Sequence, residues 1–465
     1  MSGPIDAFWL PSGCGLQPSV TMSEVGGVTI RWPQLTAADL SVLSNWLVQR
    51  QSAVLAQRSV GEIVSVLDEV AARWLEPSYP LRKEAIPAIS AVTGFSPEMV
   101  AHAIELEQVS SRKDDLMAAL DNELGDHRVL DGFVDSPKGQ SMAVGPKLVG
   151  GIFSANIPAL PHLTVMRSFL VKAACLGRVS RGEPVYLPLY ARSIAEVDPE
   201  LASCLGVVYW PSEDMACEQA FFEHINHLIA YGRDDTLNAL RRRIPNGLRA
   251  TWHGHRMGFA YIGRDALQGD VRPLAQKLAY DFTVFDQHAC LAPQACFIET
   301  GAPTAPEEFA VVLAEELSHW LEKLPPRRLS IEAAAGLRSA RDRAELNQAL
   351  GQSLVMTPPD QLQGTVVVER LEHFLPSPLD RFARVVPIQN ASELLDYLAP
   401  VGSLLQCAAV AGASSELKRI LASLGVTRLC PPGAMGTPSM IWHHDGRPCI
   451  SDLIRWCDDE LFAPG

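Results

Sequence analysis

The sequence has no run of about 18 uncharged apolar residues, so no membrane-spanning helix is expected. It has no C-x-x-C or H-x3-H pair, which argues against a structural zinc site even though Cys430, Cys449 and Cys457 share the last part of the chain with His443 and His444. No metal is expected. The glycine fingerprint G-x-G-x-x-G is also missing, as are internal repeats and low-complexity tracts. Met1 to Leu10 lacks a basic segment leading into an apolar core, and a cytoplasmic location is expected, with the ten cysteines reduced. Basic residues are scarce: 39 Lys and Arg face 53 Asp and Glu, a net charge of −14 that argues against a nucleic-acid partner. The one basic run, Arg241-Arg242-Arg243, reads as a solvated helix face.

What is present points to a well-packed α/β protein. A length of 465 residues exceeds one ordinary hydrophobic core, and 47% hydrophobic against 20% charged residues, with mean hydropathy +0.07, supports dense packing. The first third reads as helical. Thr36-Ala-Ala-Asp39 and Ser59-Val-Gly-Glu62 are capping boxes ahead of Leu40, Leu43, Trp46 and Leu47 and of Ile63, Val66, Leu67 and Val70, and Ser96-Pro97-Glu98 is a third helix start. From about residue 145, short apolar runs alternate with helical stretches, the pattern of a parallel sheet with crossover helices. Strands are expected at 147–153, 206–210, 227–231, 295–299, 365–369, 383–388 and 406–410, with helices at 161–174, 234–243, 306–324 and 390–397. The breaks at Pro325-Pro326 and Thr357-Pro-Pro-Asp360 read as loops within a domain.

Five segments carry candidate chemistry. In Asp281 to Gln294 a β-like run breaks into small residues around Cys290, a way to present a nucleophilic thiol to a carbonyl. Ser154 to Pro161 follows a strand and holds Asn156 at a carboxyl edge, where a side-chain amide could donate to an oxyanion or simply satisfy its own turn. Cys175 to Pro184 is a strand ending in Arg178, Ser180 and Arg181, suited to a phosphate or to solvent. In Ala230-Tyr-Gly-Arg233, Gly232 and Arg233 precede a helix start that could take a pyrophosphate, or Asp234 and Asp235 could fill that position themselves. Gly433 to Pro448, with His443, His444 and Asp445, reads as an ordered loop or as a surface turn.

Lys172 to Pro184, Tyr209-Trp-Pro211, Ala230-Tyr-Gly-Arg233, Asp286-Gln-His-Ala-Cys290 with Gln294, and His444-Asp-Gly-Arg-Pro448 together resemble the LuxC-type acyl-CoA reductase family, a branch of the aldehyde dehydrogenase superfamily. The resemblance runs in order from about residue 145 to the C-terminus. It implies an aldehyde dehydrogenase-like fold: a cofactor-binding domain at 1–268 (helical 1–140, Rossmann-like 141–268), a catalytic α/β domain at 269–430, and a segment 431–465 packing back on the cleft. It also implies that Cys290 accepts the acyl group of an acyl-CoA or acyl-carrier protein, and that hydride from NADPH then releases an aldehyde.

Under the same resemblance Asn156 would serve the oxyanion, and Gly232 with Arg233 would face the cofactor pyrophosphate. Arg178, Ser180 and Arg181 stand where the superfamily has Lys-x-Ser-Glu, and a cation in place of the glutamate favours NADPH over NADH. The stretch Trp252 to Ala260 lacks the base that activates water in acid-forming relatives, which favours reduction, although His253 or His255 could substitute. Ser377-Pro-Leu-Asp380-Arg381 stands where the superfamily steadies the nicotinamide ribose with a glutamate. A homo-oligomer is implied by resemblance alone. Aldehyde oxidation, CoA acylation and a non-catalytic carrier-binding scaffold stay open as other uses of the same residues.

Overall fold

The computed structural model describes residues 3–136, 139–358 and 361–461, so Pro359 and Asp360 of the expected Thr357–Asp360 loop lie outside the described residues. The chain forms two compact units. The first comprises Met1–Thr93, Val100–Gly254 and Ser439–Gly465, and the second Gly94–Met99 and His255–Pro438. Among the described residues no helix is long and apolar enough to cross a membrane.

The first unit is built on a five-stranded parallel sheet in the spatial order Arg249–His253, His227–Tyr231, Leu148–Ile152, Ala174–Arg178, Leu205–Val208. Counted in chain order this is the 3-2-1-4-5 arrangement of dinucleotide-binding sheets, whose order reverses between Leu148–Ile152 and His227–Tyr231. These strands are almost wholly buried, as their near-continuous apolar runs require.

Both sequence capping boxes are formed. The Thr36 hydroxyl accepts from Asp39 N at 3.2 Å while the Asp39 carboxylate accepts from Thr36 N at 2.8 Å, and Ser59 and Glu62 repeat the exchange at 3.3 and 2.8 Å. The helices they start, Ala37–Ala53 and Val60–Leu75, bury Leu40, Leu43 and Leu47 and Ile63, Leu67 and Val70, whereas Trp46 and Val66 are only partly covered.

The N-terminal third is not purely helical. Ile5–Asp6, Val20–Val25 and Val28–Pro33 make a small sheet whose hairpin turns on Gly26 and Gly27, at φ of 60° and 83°. A two-residue turn with both φ values positive matches the twist of the flanking strands and selects glycine, and a Cβ on Gly26 would also lie 1.9 Å from the Ala91 carbonyl. A third sheet pairs Gly139–Val144 with both Val134–Ser136 and Arg455–Asp459.

The second unit holds a seven-stranded sheet, ordered Ser353–Met356, Val366–Glu369, Ala383–Ile388, Pro293–Glu299, Met257–Ile262, Leu405–Ala411, Arg428–Cys430. All neighbours are parallel except the edge strand Ser353–Met356. Phe259, Phe297, Val386, Leu394 and Leu417 are among the residues of its core. Two sequence boundaries move. The strand Met257–Ile262, assigned to a 1–268 domain, sits beside the central strand of this sheet, so the first unit ends at Gly254. The segment expected to depart at 431 stays in the second unit through Pro438, because Arg428–Cys430 is its last strand.

Candidate active site

The Cys290 loop is not a broken strand. Helix Arg272–Thr283 runs into it, and Phe285, Asp286 and Gln287 then take left-handed conformations at φ of 53°, 48° and 65°. His288 N donates back to Phe285 O at 2.8 Å, and Ala292 N donates to Ala289 O at 3.0 Å across a turn that contains Cys290. Strand Pro293–Glu299, the middle strand of seven, follows at once. The β-branched and aromatic residues of Thr283-Val-Phe285 suggest a strand, but the helix end and its left-handed exit override that propensity.

Three consecutive non-glycine residues at positive φ are costly, and the surrounding contacts specify them. A second left-handed triplet, Leu379-Asp380-Arg381 at φ of 69°, 54° and 64°, packs against the first. Asp380 N donates to Asp286 O at 3.0 Å, and Arg381 Nε donates to the Asp286 carboxylate at 2.5 Å with neither side chain exposed. Burial pushes the Asp286 carboxyl up and the Arg381 guanidinium down, and their mutual attraction opposes both shifts. Arg327 N donates to the same carboxylate at 3.1 Å.

Gln287 Nε2 donates to the carbonyls of Pro293 and Phe382 at 3.0 and 3.3 Å, and Gln294 accepts from Ser377 N at 3.1 Å. His288 Nε2 lies 3.1 Å from the Asp380 carboxylate and 3.1 Å from Arg327. Below the loop, Gly258 N donates to Ala292 O at 3.2 Å, and a Cβ on Gly258 would meet the Leu291 carbonyl at 2.4 Å, so only glycine lets this strand approach.

Thus Asp-Gln-x-Ala-Cys is a structural device in which Asp286 and Gln287 fix the backbone that carries the sulfur. Sequence reading singled out Cys290 but gave no part to Arg381, Gln287 or Gly258, and it set Ser377–Arg381 against a cofactor role. Here Ser377–Arg381 buttresses the thiol loop.

All ten cysteines are free thiols. Burial pushes Cys175, Cys204 and Cys217 up to about 12 and Cys296 higher still, which leaves them inert at neutral pH. Cys290 and Cys449 are half-buried and Cys457 is exposed.

The other sequence candidates all lie at the carboxyl edge of the five-stranded sheet of the first unit. Asn156 follows Leu148–Ile152, and its Oδ1 accepts from the Ser154 hydroxyl at 2.5 Å, which orients the amide nitrogen the other way. Arg178 ends the next strand. Its Nε and Nη2 donate to the Trp210 carbonyl at 3.2 and 2.8 Å, and the guanidinium lies 5.1 Å from the Trp210 ring. Burial pulls its pKa down, so Arg178 serves first as a prop for Tyr209-Trp210.

Ser180 accepts from Gly182 N at 3.2 Å. Arg181 is exposed at a cavity of about 510 Å3 that is also bounded by Trp32, Tyr209, Trp210 and Asp214, with Trp32 and Tyr209 in ring contact at 4.5 Å. Gly232 N donates to His253 O at 3.2 Å, and Arg233 pairs with Asp235 at the start of helix Asp234–Arg241. The Asp235 carboxylate accepts from Thr236 N, which lowers its pKa.

His253, at the end of its strand, has Nδ1 2.6 Å from the Asp445 carboxylate and stacks between Tyr231 at 4.5 Å and His444 at 4.1 Å. Potential ligand atoms of His253, His444 and Asp445 lie within 4.8 Å of one another, but stacked rings aim their in-plane lone pairs along parallel lines rather than at one point. The arrangement is that of a hydrogen-bonded histidine–aspartate pair. Of the cysteines weighed for zinc, Cys430 lies in the second unit, 3.8 Å from the Cys407 sulfur, and Cys449 and Cys457 lie in the first.

A 3-2-1-4-5 parallel sheet in one unit, and a thiol at the head of the middle strand of a parallel sheet in the other, define an aldehyde dehydrogenase-like protein. Solved structures agree. The chain superposes on aldehyde dehydrogenase 21 of Physcomitrella patens with TM-score 0.71 at 12% identity over 98% of each chain. With the NADP-dependent glyceraldehyde-3-phosphate dehydrogenase of Bacillus halodurans, solved with NADP, the TM-score is 0.71 at 13% identity over 97% of each chain.

Within that class the chain belongs to the acyl-CoA reductase (LuxC) family, whose model matches residues 55–456. It is similar to the long-chain acyl-protein thioester reductase of Vibrio harveyi, 22% identical over 414 residues covering 86% of this chain and 83% of that one. The corresponding enzyme 2 of Photobacterium leiognathi is 21% identical over 449 residues, covering 92% and 87%.

Proposed function

We propose that this protein reduces an acyl thioester to an aldehyde with NADPH, through an acyl group held on Cys290. The observation that carries the reading is the investment around one sulfur: a half-buried thiol on a loop fixed by a sealed ion pair and two left-handed triplets, beside a family match across most of the chain. A thiol held this way attacks the thioester carbonyl, its proton leaves with the carrier thiol, and a thioacyl enzyme results. The cofactor supplies hydride to that carbonyl. Collapse of the thiohemiacetal then releases aldehyde and restores the thiolate, which takes up one proton.

Asn156 carries the oxyanion role by resemblance, and the tie of its Oδ1 to Ser154 supports that role by presenting the amide as a donor. Arg178, Ser180, Arg181, Gly232 and Arg233 form the proposed cofactor edge, with Arg181 as the cation that meets the 2′-phosphate. The exposure of Arg181 beside an aromatic cavity supports this, as does the engagement of Arg178 elsewhere. The thioester donor is an acyl-CoA or an acyl-carrier protein, since the family is described by the first and the similar Vibrio harveyi enzyme by acyl-protein thioesters.

The reading is tested by incubating the protein with octanoyl-CoA and no NADPH. One octanoyl group should appear on the intact mass, map to Cys290, and disappear on addition of NADPH. Cys290→Ser should lose at least about a thousandfold in turnover. Acylation of another residue, or none, would sink the assignment.

A further inference from the structure

Inside the first unit lies a buried cation with no counter-ion. Arg167, on helix His162–Leu170, is 7% exposed, makes no ion pair, and leaves its Nε without a hydrogen-bond acceptor. Two hydroxyls beside it are in the same condition: Thr164 Oγ1, on a residue 0% exposed, and Tyr231 Oη, on one 7% exposed, have no partner. Thr164 and Arg167 are three apart on one helix and so share a face, and Tyr231 interacts with both. An unpaired guanidinium and two unsatisfied hydroxyls in one place cost several kcal/mol by ordinary accounting, which native structures seldom carry without a ligand.

The groups facing Arg167 do not neutralise it. Cys449 donates its thiol to Trp442 O at 3.7 Å, and Glu123 is occupied by the three backbone N–H groups of Cys449, Ile450 and Ser451 at 2.8 to 2.9 Å. Burial lifts Glu107 to about 7 despite Arg167, so this carboxyl is only partly ionised at neutral pH. His162, which also faces Arg167, is held neutral by burial.

The position is that of a ligand site. Tyr231 ends the strand beside the point where the order of the five-stranded sheet reverses, and Arg167 sits on the helix that directly follows the Asn156 loop. One guanidinium fork with two hydroxyl donors matches a single carboxylate. A phosphate dianion fits poorly beside Glu107 and Glu123 and with only one cation.

We infer that Arg167, Tyr231 and Thr164 bind a carboxylate, and, resting on the reductase reading, that the acyl groups this protein takes carry a carboxylate at the end remote from the thioester. The substrate class is then an ω-carboxyacyl thioester rather than a plain fatty acyl one.

Two measurements on the full-length protein test this separately. In calorimetric titration, hexanoate should bind at least tenfold more tightly than the neutral isostere hexanamide. Arg167→Met should abolish that difference and Tyr231→Phe should reduce it about threefold. Because the Tyr231 hydroxyl has no partner, Tyr231→Phe keeps the fold intact even where Arg167→Met does not. In turnover with NADPH, adipoyl-CoA should exceed hexanoyl-CoA at least tenfold in kcat/KM, with the order reversed in Arg167→Met. Equal binding of hexanoate and hexanamide overturns the carboxylate site, and so does a preference that survives Arg167→Met. Carboxylate binding that depends on Arg167, without reduction of either thioester, overturns the reductase reading and leaves the site standing. Reduction of both thioesters at equal efficiency does the opposite.

Discussion

Arg381 and Asp286 are both sealed from solvent, and each is the other's only full charge compensation within hydrogen-bonding reach. Removing one partner strands the other, a loss of about 3–5 kcal/mol where such pairs have been broken. Arg381→Met should therefore lower the urea midpoint sharply. The double variant Asp286→Leu/Arg381→Met should recover part of that stability but not the acylation of Cys290, because the left-handed triplet loses its anchor. Equal stability of Arg381→Met and the parent would show that the pair is not what holds the loop. At the other functional edge, Arg181→Glu should shift the kcat/KM ratio for NADPH over NADH by at least about tenfold toward NADH, by placing a carboxylate beside the 2′ position. An unchanged ratio would remove Arg181 from the proposed cofactor edge.

The sequence made Cys290 legible because small residues clustered about it. The partners that position it were not legible, since Asp286 meets Arg381 across 95 residues and Gly258 meets Ala292 from a different strand. Pairings at that separation leave no local signature. Arg167 was invisible for the opposite reason: an arginine on a helix reads as solvated until burial is known.

Among the elements, helix Arg272–Thr283 does more than lead into the thiol loop. Asp281, in its last turn, accepts from Gly433 N and Met435 N at 2.6 and 3.0 Å and so lashes the loop after the last strand of the second unit to this helix. Burial raises its carboxyl from the usual range to about 7, although both backbone donors and Arg428 pull the other way. The folded state therefore holds a proton that the unfolded chain releases near pH 4. The contribution to stability is complete below that value and is lost as pH rises through about 7. The melting temperature should fall between pH 5 and 8, and the fall should be smaller in Asp281→Asn. Identical pH profiles for the two proteins would contradict the shift.

Elements with strong local signals were readable. The two capping boxes, the buried strands after residue 145 and the helix at Pro306–Lys323 stand where their patterns put them. The hairpin Val20–Pro33 was missed although Val25-Gly-Gly-Val28 carries the turn and its flanks alternate, because the helical pattern that follows dominated the reading. The run into Cys290 was mistaken for a strand because β-propensity yields to a helix terminus held by tertiary contacts.

At the scale of the whole chain, the composition bears on how substrate arrives. A net charge of −14 sets up a field that repels a polyanionic thioester such as an acyl-CoA, and salt screens that repulsion over about 10 Å at 0.1 M. The kcat/KM for an acyl-CoA should rise as ionic strength increases from about 20 to 150 mM. A fall would mean that local cations such as Arg181 outweigh the overall field.

Sequence reading found that there would be more than one unit, from length, and that both would be α/β, from alternation. It misplaced the seam because Met257–Ile262 has the apolar character of any buried strand, and nothing along the chain says which sheet it enters.

The pairing of Arg455–Asp459 with Gly139–Val144 has a consequence for synthesis. A ribosome delivers Gly139–Val144 more than three hundred residues before its partner, so throughout most of translation one flank of that strand has unmet backbone groups. The nascent chain is thus most prone to mispairing with its neighbours on a polysome, and the hazard ends only when the final strand emerges and docks.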